Sequence, residues 1–159
     1  MSLPEKVMFA VSVFSISYIF LQCLSLAVLL KFPSRAKKRA VLSTYRPFVS
    51  ILKPVRGMDA GGYENFKSFC RLDYPSYELI FGVAEENDPV IEQINRLKQE
   101  FPQISIQLAL TSKEIGHNPK VNNLANAYEL SRGEVIVMSD SDVRVEPDYL
   151  QHAVTPLEE

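Results

Sequence analysis

The sequence predicts an α/β domain built on a parallel sheet and preceded by one apolar helix. Between residues 48 and 150, short apolar runs typical of buried strands alternate with segments whose apolar residues recur at helical spacing. The order strand, helix, strand, helix, strand, helix, strand requires crossover connections, which place helices on both faces of a parallel sheet. Residues 7–30, ahead of this pattern, contain no charged residue.

The uncharged segment is long enough to cross a membrane. At about 1.5 Å per residue a helix over residues 7–30 spans roughly 36 Å, and a bilayer core is about 30 Å thick. A cleaved signal peptide is the alternative, but its apolar run is usually only about 7–15 residues long. The prediction is a transmembrane anchor over residues 1–31.

Charge divides the chain in two. Residues 1–59 carry nine Lys or Arg against two Asp or Glu, a net charge of +7, and residues 60–159 carry eight against seventeen, a net charge of −9. The basic residues crowd a predicted juxtamembrane linker, residues 32–47, and its borders, which places the rest of the chain in the cytosol. These residues either contact anionic headgroups or serve only as a topology signal. The cluster consists of Lys31, Arg35, Lys37, Lys38, Arg39 and Arg46.

The domain that follows covers residues 48–159. Strands are predicted at 48–53, 78–84, 104–110 and 134–138, the first of them stopped by Pro54. Helices are predicted at 63–72, 89–101 and 120–131, with a last short helix from Pro147. The helix at 120–131 is expected to bury four residues: Val121, Leu124, Ala125 and Tyr128.

Two carboxylates follow the last strand. Ligands of such sheets bind beyond the carboxyl ends of the strands, and there Ser139 is followed by Asp140-Ser141-Asp142. Oxygen ligands of this kind suit Mg²⁺ or Mn²⁺, with substrate phosphates completing the coordination. The alternative for this triplet is a solvated turn or a helix cap.

Acidic residues also follow the second strand. Glu85 and Asp88 are candidates to accept hydrogen bonds from a nucleobase or a ribose. The alternatives are that Asp88, directly before Pro89, caps the next helix and that Glu85 is simply exposed to solvent. Lys120 lies in the first turn of a helix, where the macrodipole favours anions, so a phosphate nearby explains a lysine there. A solvated surface lysine is the alternative.

The segment after the first strand is a further candidate for wrapping a nucleotide. Pro54, Arg56 and Gly57 form it, and a glycine permits close approach of backbone to ligand. The chain contains neither a phosphate-loop lysine pattern nor a G-x-G-x-x-G sequence, which argues against a P-loop hydrolase and a dinucleotide dehydrogenase.

Five blocks in order resemble the ceramide glucosyltransferase family and its bacterial relatives, such as hopanoid-biosynthesis glycosyltransferases. The resemblance runs from about residue 48 to residue 150 and implies a membrane-bound, inverting enzyme of the GT-A fold, with a bacterial inner-membrane location. The blocks are KPVRG (53–57), LDYPSYEL (72–79), ENDP (86–89), GHNPKVNNL (116–124) and SDSDVRVEPDYL (139–150).

The resemblance implies a role for several residues. Asp88 and Asp140 match the first and second aspartates of the family, Asp140 and Asp142 would hold Mg²⁺ or Mn²⁺, and Glu85 stands where many GT-A enzymes place an acid against uracil. The implied partners are a UDP-sugar donor, carrying glucose or a related hexose or N-acetylhexosamine, a lipid acceptor and the membrane. No nucleic-acid partner is expected.

The catalytic base of the family is expected further along than this chain reaches. A third aspartate and then a Gln/Arg-x-x-Arg-Trp motif would follow, and the chain contains no Trp. We therefore expect it to hold the donor half and not to turn over alone. A polysaccharide-synthase-like enzyme of the same fold and a membrane-tethered nucleotide-binding module without catalysis are the alternatives.

Overall fold

The computed structural model describes residues 2–58, 60–110 and 113–158, with the backbone alone at residues 5 and 31–42. The side chains of the basic cluster from Lys31 to Arg39 therefore lie outside the described residues, as does Thr111 in the loop before Lys120. The chain divides into two compact units, Met1–Ser43 and Thr44–Glu159.

The first unit is one helix, α1, at Leu3–Leu42. Its stretch Lys6–Leu30 is long and apolar enough to cross a membrane. Three serine hydroxyls in this stretch donate to the carbonyl four residues earlier at 2.8–2.9 Å, so they are satisfied within the helix. A signal sequence near the N-terminus can also meet the criteria for a membrane span, so the anchor stays a prediction. The helix also continues through most of the segment predicted as a linker.

The second unit alternates strands and helices as predicted. Its four strands are all parallel, in the order β3-β2-β1-β4. The elements are β1 Val49–Pro54, α2 Gly62–Phe69, β2 Tyr77–Val83, α3 Val90–Glu100, β3 Ser105–Leu110, α4 Pro119–Tyr128, β4 Val135–Met138 and α5 Tyr149–Val154, followed by a 3₁₀ turn at Thr155–Leu157.

Helices cover both faces of the sheet, which confirms the predicted layers. On one face α2, α3 and α5 pack on alternate strand residues, with Phe66 edge-on to Phe81 at 5.1 Å between ring centroids. On the other face α4 packs against Leu52 and Ile80 through Ala127. The approach of α4 to β2 is close: a Cβ on Gly82 would lie 2.2 Å from the carbonyl oxygen of Asn123, so only glycine fits there.

The predicted inward face of α4 is wrong in part. Val121 and Tyr128 are 47% and 60% exposed, whereas Asn122, Asn123, Asn126 and Ala127 are buried. The asparagines turn inward because their amides hydrogen-bond to backbone groups of neighbouring loops, and apolar periodicity does not register such bonds. One boundary also differs, since Pro54 is the last residue of β1 and not the stop after it.

Candidate functional site

The carboxyl ends of β1 and β4 form one wall of an open cavity of about 710 Å³. The N-terminus of α4 also lines this cavity. Among the predicted site residues, five line this cavity: Pro54, Arg56, Lys120, Asp140 and Asp142. The sheet order explains the gathering, because β1 and β4 are neighbours although 80 residues separate them in the chain.

Lys120 lies against the carboxylate pair. Its Nζ is 2.7 Å from Oδ1 of Asp140, and both side chains are about half exposed. Asn118 caps α4 by accepting a hydrogen bond from the backbone N–H of Lys120 at 3.0 Å, which fixes the first turn that carries the lysine. The lining of the cavity thus includes an ammonium group, two carboxylates and a helix N-terminus.

Asp140 and Asp142 could hold a divalent cation only together with further ligands from water and a bound nucleotide. Within the described residues, no three His, Cys, Asp or Glu side chains stand together as a site for a metal ion. Two carboxylates leave most of the coordination of Mg²⁺ or Mn²⁺ to water and ligand phosphates, which is how these ions bind where nucleotides supply oxygens. The cavity beside the pair provides room for such a ligand.

A second cavity of about 520 Å³ shares Arg56, Pro119 and Asn123 with the first. Glu85 lines it, and Oε1 of Glu85 lies 3.3 Å from Nη2 of Arg56. Both side chains are largely exposed, so the pair is free to exchange partners. His117 also lines the second cavity.

Asp88 is positioned as the capping alternative predicts. It is 8% exposed, its Oδ1 accepts from the N–H of Val90 at 2.9 Å, and its Oδ2 accepts from the N–H of Gly57 at 2.8 Å. Gly57 has φ 68°, the left-handed region that favours glycine. Asp88 and Gly57 line neither cavity. Together they fix the loop after β1, and direct contact with a donor remains a prediction for both.

The asparagines of α4 brace the loops around the two cavities. Asn122 accepts from the N–H groups of Ile115 and Gly116, both at 3.1 Å, and donates to the carbonyl of Gly116. Asn123 donates to the carbonyl of Val55 at 3.3 Å, and within the described chain its buried Oδ1 has no hydrogen-bond partner. The sequence pattern does not predict this bracing role, because it depends on loops that only the packed fold brings to α4.

Lys53 lies behind the Asp140 turn without lining either cavity, and the sequence pattern does not single it out. The side chain is completely buried, and its Nζ donates to the carbonyl of Asp140 at 2.7 Å and to Oγ of Ser139 at 3.1 Å. Burial lowers the pKa of Lys53 to about 7, and the charges of Asp140 and Asp142 act in the opposite direction. The available signal was a lysine ending a strand that otherwise reads as fully buried.

Comparison with known proteins identifies the family to which the chain is similar. The model of glycosyl transferase family 21 matches residues 7–159. Ceramide glucosyltransferase 1 of Caenorhabditis elegans is 35% identical over 111 residues, 70% of this chain and 24% of that protein. Ceramide glucosyltransferase of Komagataella phaffii is 33% identical over 113 residues, 69% of this chain and 22% of that protein. β-Monoglucosyldiacylglycerol synthase of Nostoc is 26% identical over 110 residues, 68% of this chain and 23% of that protein.

Solved structures share the fold. A mannosyltransferase from Pyrobaculum calidifontis, in complex with GDP-mannose and Mn²⁺, matches with a TM-score of 0.65 at 23% identity, over 82% of this chain and 40% of that one. Staphylococcus aureus TarS, residues 1–349 in complex with UDP-GlcNAc, matches with a TM-score of 0.53 at 16% identity, over 67% and 30%. These similarities confirm the GT-A fold predicted from the sequence.

The chain spans about a quarter of the length of the curated relatives it matches. The five sequence blocks lie within the matched family region, which confirms the resemblance. The chain belongs to glycosyl transferase family 21.

Proposed function

We propose that this chain binds the nucleotide-sugar donor, a UDP-sugar, of an enzyme that transfers a hexose to a membrane lipid. One observation carries the proposal: a single cavity beside a helix N-terminus is lined by Lys120, Asp140 and Asp142. This combination suits a diphosphate and a divalent cation together. The relatives named as ceramide glucosyltransferases support the hexose and the lipid.

The two adjoining cavities suit the two halves of the donor. We place the diphosphate in the cavity of Asp140 and Asp142, and the nucleoside in the second cavity beside Glu85. The Glu85 carboxylate would accept a hydrogen bond from a base N–H, and Arg56, shared by both cavities, would exchange its contact with Glu85 for a phosphate oxygen. Asn123 lines both cavities and holds the β1 loop between them through Val55.

Transfer with inversion follows from one in-line displacement. A lipid hydroxyl oxygen forms a bond to the anomeric carbon while the bond from that carbon to the diphosphate breaks, and the hydroxyl proton goes to a general base that the family places further along. Lys120 and the N–H groups of α4 would stabilise the negative charge that the leaving diphosphate gains. A bound Mg²⁺ or Mn²⁺ supplies electrophilic assistance to this leaving group.

Calorimetry on the full chain in detergent micelles tests the donor site. UDP should bind in the presence of Mn²⁺, and EDTA should abolish or strongly weaken the binding. Loss of one charged ligand costs about 1.5–3 kcal/mol, so Asp140→Asn and Asp142→Asn should each weaken UDP binding by about 10- to 100-fold. Asp148→Asn, an exposed aspartate outside both cavities, is the matched control.

The outcomes separate the alternatives. UDP binding that ignores both Mn²⁺ and the Asp140 substitution would overturn the site, and tighter binding of GDP than UDP would overturn the choice of nucleotide. For the acceptor, label from UDP-glucose should appear in ceramide or diacylglycerol with the complete protein. A water-soluble polysaccharide as sole product would favour the synthase alternative, and nucleotide binding without any transfer would favour the non-catalytic module.

A further inference from the structure

Lys53 carries a buried ammonium group directly behind the predicted metal ligands. None of its surface is exposed. Two of its three donors have protein acceptors, the carbonyl of Asp140 at 2.7 Å and Oγ of Ser139 at 3.1 Å. The face of the Phe69 ring lies 3.8 Å from Nζ, measured to the ring centroid. The cation is thus held between an aromatic ring of α2 and the backbone that carries Asp140.

The sheet register explains why this position reaches that backbone. Leu52 pairs with Met138 across β1 and β4, and the N–H of Ser139 donates to the carbonyl of Leu52 at 3.0 Å. Lys53 is the next residue along β1, so its side chain meets the chain where β4 ends and the Asp140 turn begins.

The energetics of this placement argue against a purely structural role. None of the ion pairs among the described residues includes Lys53, and the carboxylates whose charges act on it, Asp140 and Asp142, are exposed at the cavity. Burying a charge without a close counter-ion destabilises a fold, and an apolar side chain of similar size is usually tolerated better. The lysine therefore has a cost that packing alone does not explain.

We propose that Lys53 is a positioning residue of the donor site. Its ammonium fixes the Ser139-Asp140 backbone, and so fixes the direction in which the carboxylates of Asp140 and Asp142 enter the cavity. In its protonated form it also places a positive charge behind the diphosphate. This inference rests on the donor site of the proposed function, and it adds a residue that touches neither the sugar nor the metal.

The test compares two ligands on the full chain in detergent. Lys53→Met keeps the length of the side chain and removes the charge and the donors. The variant should show an unchanged or higher Tm, while the Kd for UDP with Mn²⁺ rises about tenfold, the loss expected for a supporting contact behind a metal site. Uridine lacks the diphosphate, so its binding, followed by saturation-transfer NMR, should not change.

Lys67→Met is the matched control. Lys67 also lies near aromatic rings, those of Tyr63 and Phe101, and it pairs with Glu100, but it contacts neither Ser139 nor Asp140. This variant should leave the Kd for UDP and the Kd for uridine at the values of the unsubstituted chain.

The possible results distinguish failure of the positioning role from failure of the donor site. Equal weakening of uridine and UDP, or UDP affinity unchanged in Lys53→Met, would overturn the positioning role alone. If Lys53→Met does not fold, Ser139→Ala decides: it removes one acceptor and keeps the lysine, so a two- to threefold weaker UDP affinity at unchanged Tm supports the role and unchanged affinity overturns it. Absence of UDP binding in the unsubstituted chain would overturn the proposed function, and the inference with it.

Discussion

Two charged side chains are completely buried in the sheet, and they lie at opposite ends of neighbouring strands. Lys53 is at the carboxyl end of β1, behind the cavity, and Glu78 is at the amino end of β2. Glu78 accepts five hydrogen bonds, from Ser50, from Gln107 and three times from Arg132, whose Nη2 lies 2.7 Å from Oε2. Lys53 has a carbonyl, a hydroxyl and a ring as neighbours.

This difference in charge compensation indicates that the two ends of the sheet have different roles. The charge of Glu78 is balanced within the fold, so this end joins β1, β2, β3 and the loop before β4. The charge of Lys53 is balanced only by carboxylates that face the cavity, so its effect extends to whatever binds there. Substitutions at the amino end should therefore change stability, and those at the carboxyl end should change ligand affinity.

The largest effect on stability is expected from Glu78→Gln. The variant loses the charged acceptor of several buried hydrogen bonds, while Arg132, being 63% exposed on its side chain, regains water. The free energy of unfolding should fall by about 2 kcal/mol. Urea unfolding followed by tyrosine fluorescence measures this, and UDP affinity measured well below the unfolding range should be unchanged.

Acid unfolding provides the check on that prediction. Burial alone raises the pKa of Glu78, but hydrogen bonds from Arg132 and Ser50 outweigh it and hold the pKa below its ordinary value of 4.5. A lowered pKa in the folded state stabilises the fold above the ordinary value, and this contribution is lost as the pH falls further. The chain should lose more stability below about pH 4.5 than Glu78→Gln does. If the stability of the unsubstituted chain and of Glu78→Gln fell in parallel with pH, the result would contradict a stabilising Glu78–Arg132 ion pair.

An intermediate effect is expected from Asp88→Ala. The substitution removes the acceptor for the N–H groups of Gly57 and Val90, so it loosens the start of α3 and the loop after β1 together. The loss of such a cap costs about 1–2 kcal/mol in the free energy of unfolding. Asp88→Asn keeps one amide oxygen as an acceptor, so it should lose only about half as much free energy of unfolding as Asp88→Ala. Wild-type stability with abolished UDP binding would instead assign Asp88 to the donor.

The smallest effect on stability is expected from Lys120→Met, which breaks only a half-exposed ion pair. Exposed pairs contribute about 0–1 kcal/mol, so the free energy of unfolding should change by less than about 0.5 kcal/mol. Affinity for UDP should nevertheless fall about fivefold, because a phosphate loses a cation. Lys98→Met on α3, outside both cavities, is the control for calorimetry. Unchanged affinity would leave Lys120 a surface lysine.

The sheet, its layers and the edge that holds the candidate site could all be predicted from the sequence. Apolar runs bounded by proline, glycine and polar clusters located all four strands to within about one residue, because strand burial and turn chemistry are local properties. Parallel crossovers then place the segments after all four strands at one edge. Asp140, Asp142, Lys120 and Arg56 were predicted together for this reason.

Which polar side chains stabilise the fold and which support the cavity could be learned only from the packed structure. Asn123 meets Val55 across 68 residues of chain, and Lys53 meets Asp140 across 87. Such contacts depend on which strands are neighbours and how closely α4 approaches them, and no local pattern records either. The same residue types could therefore be located from the sequence, but their partners required the packed sheet.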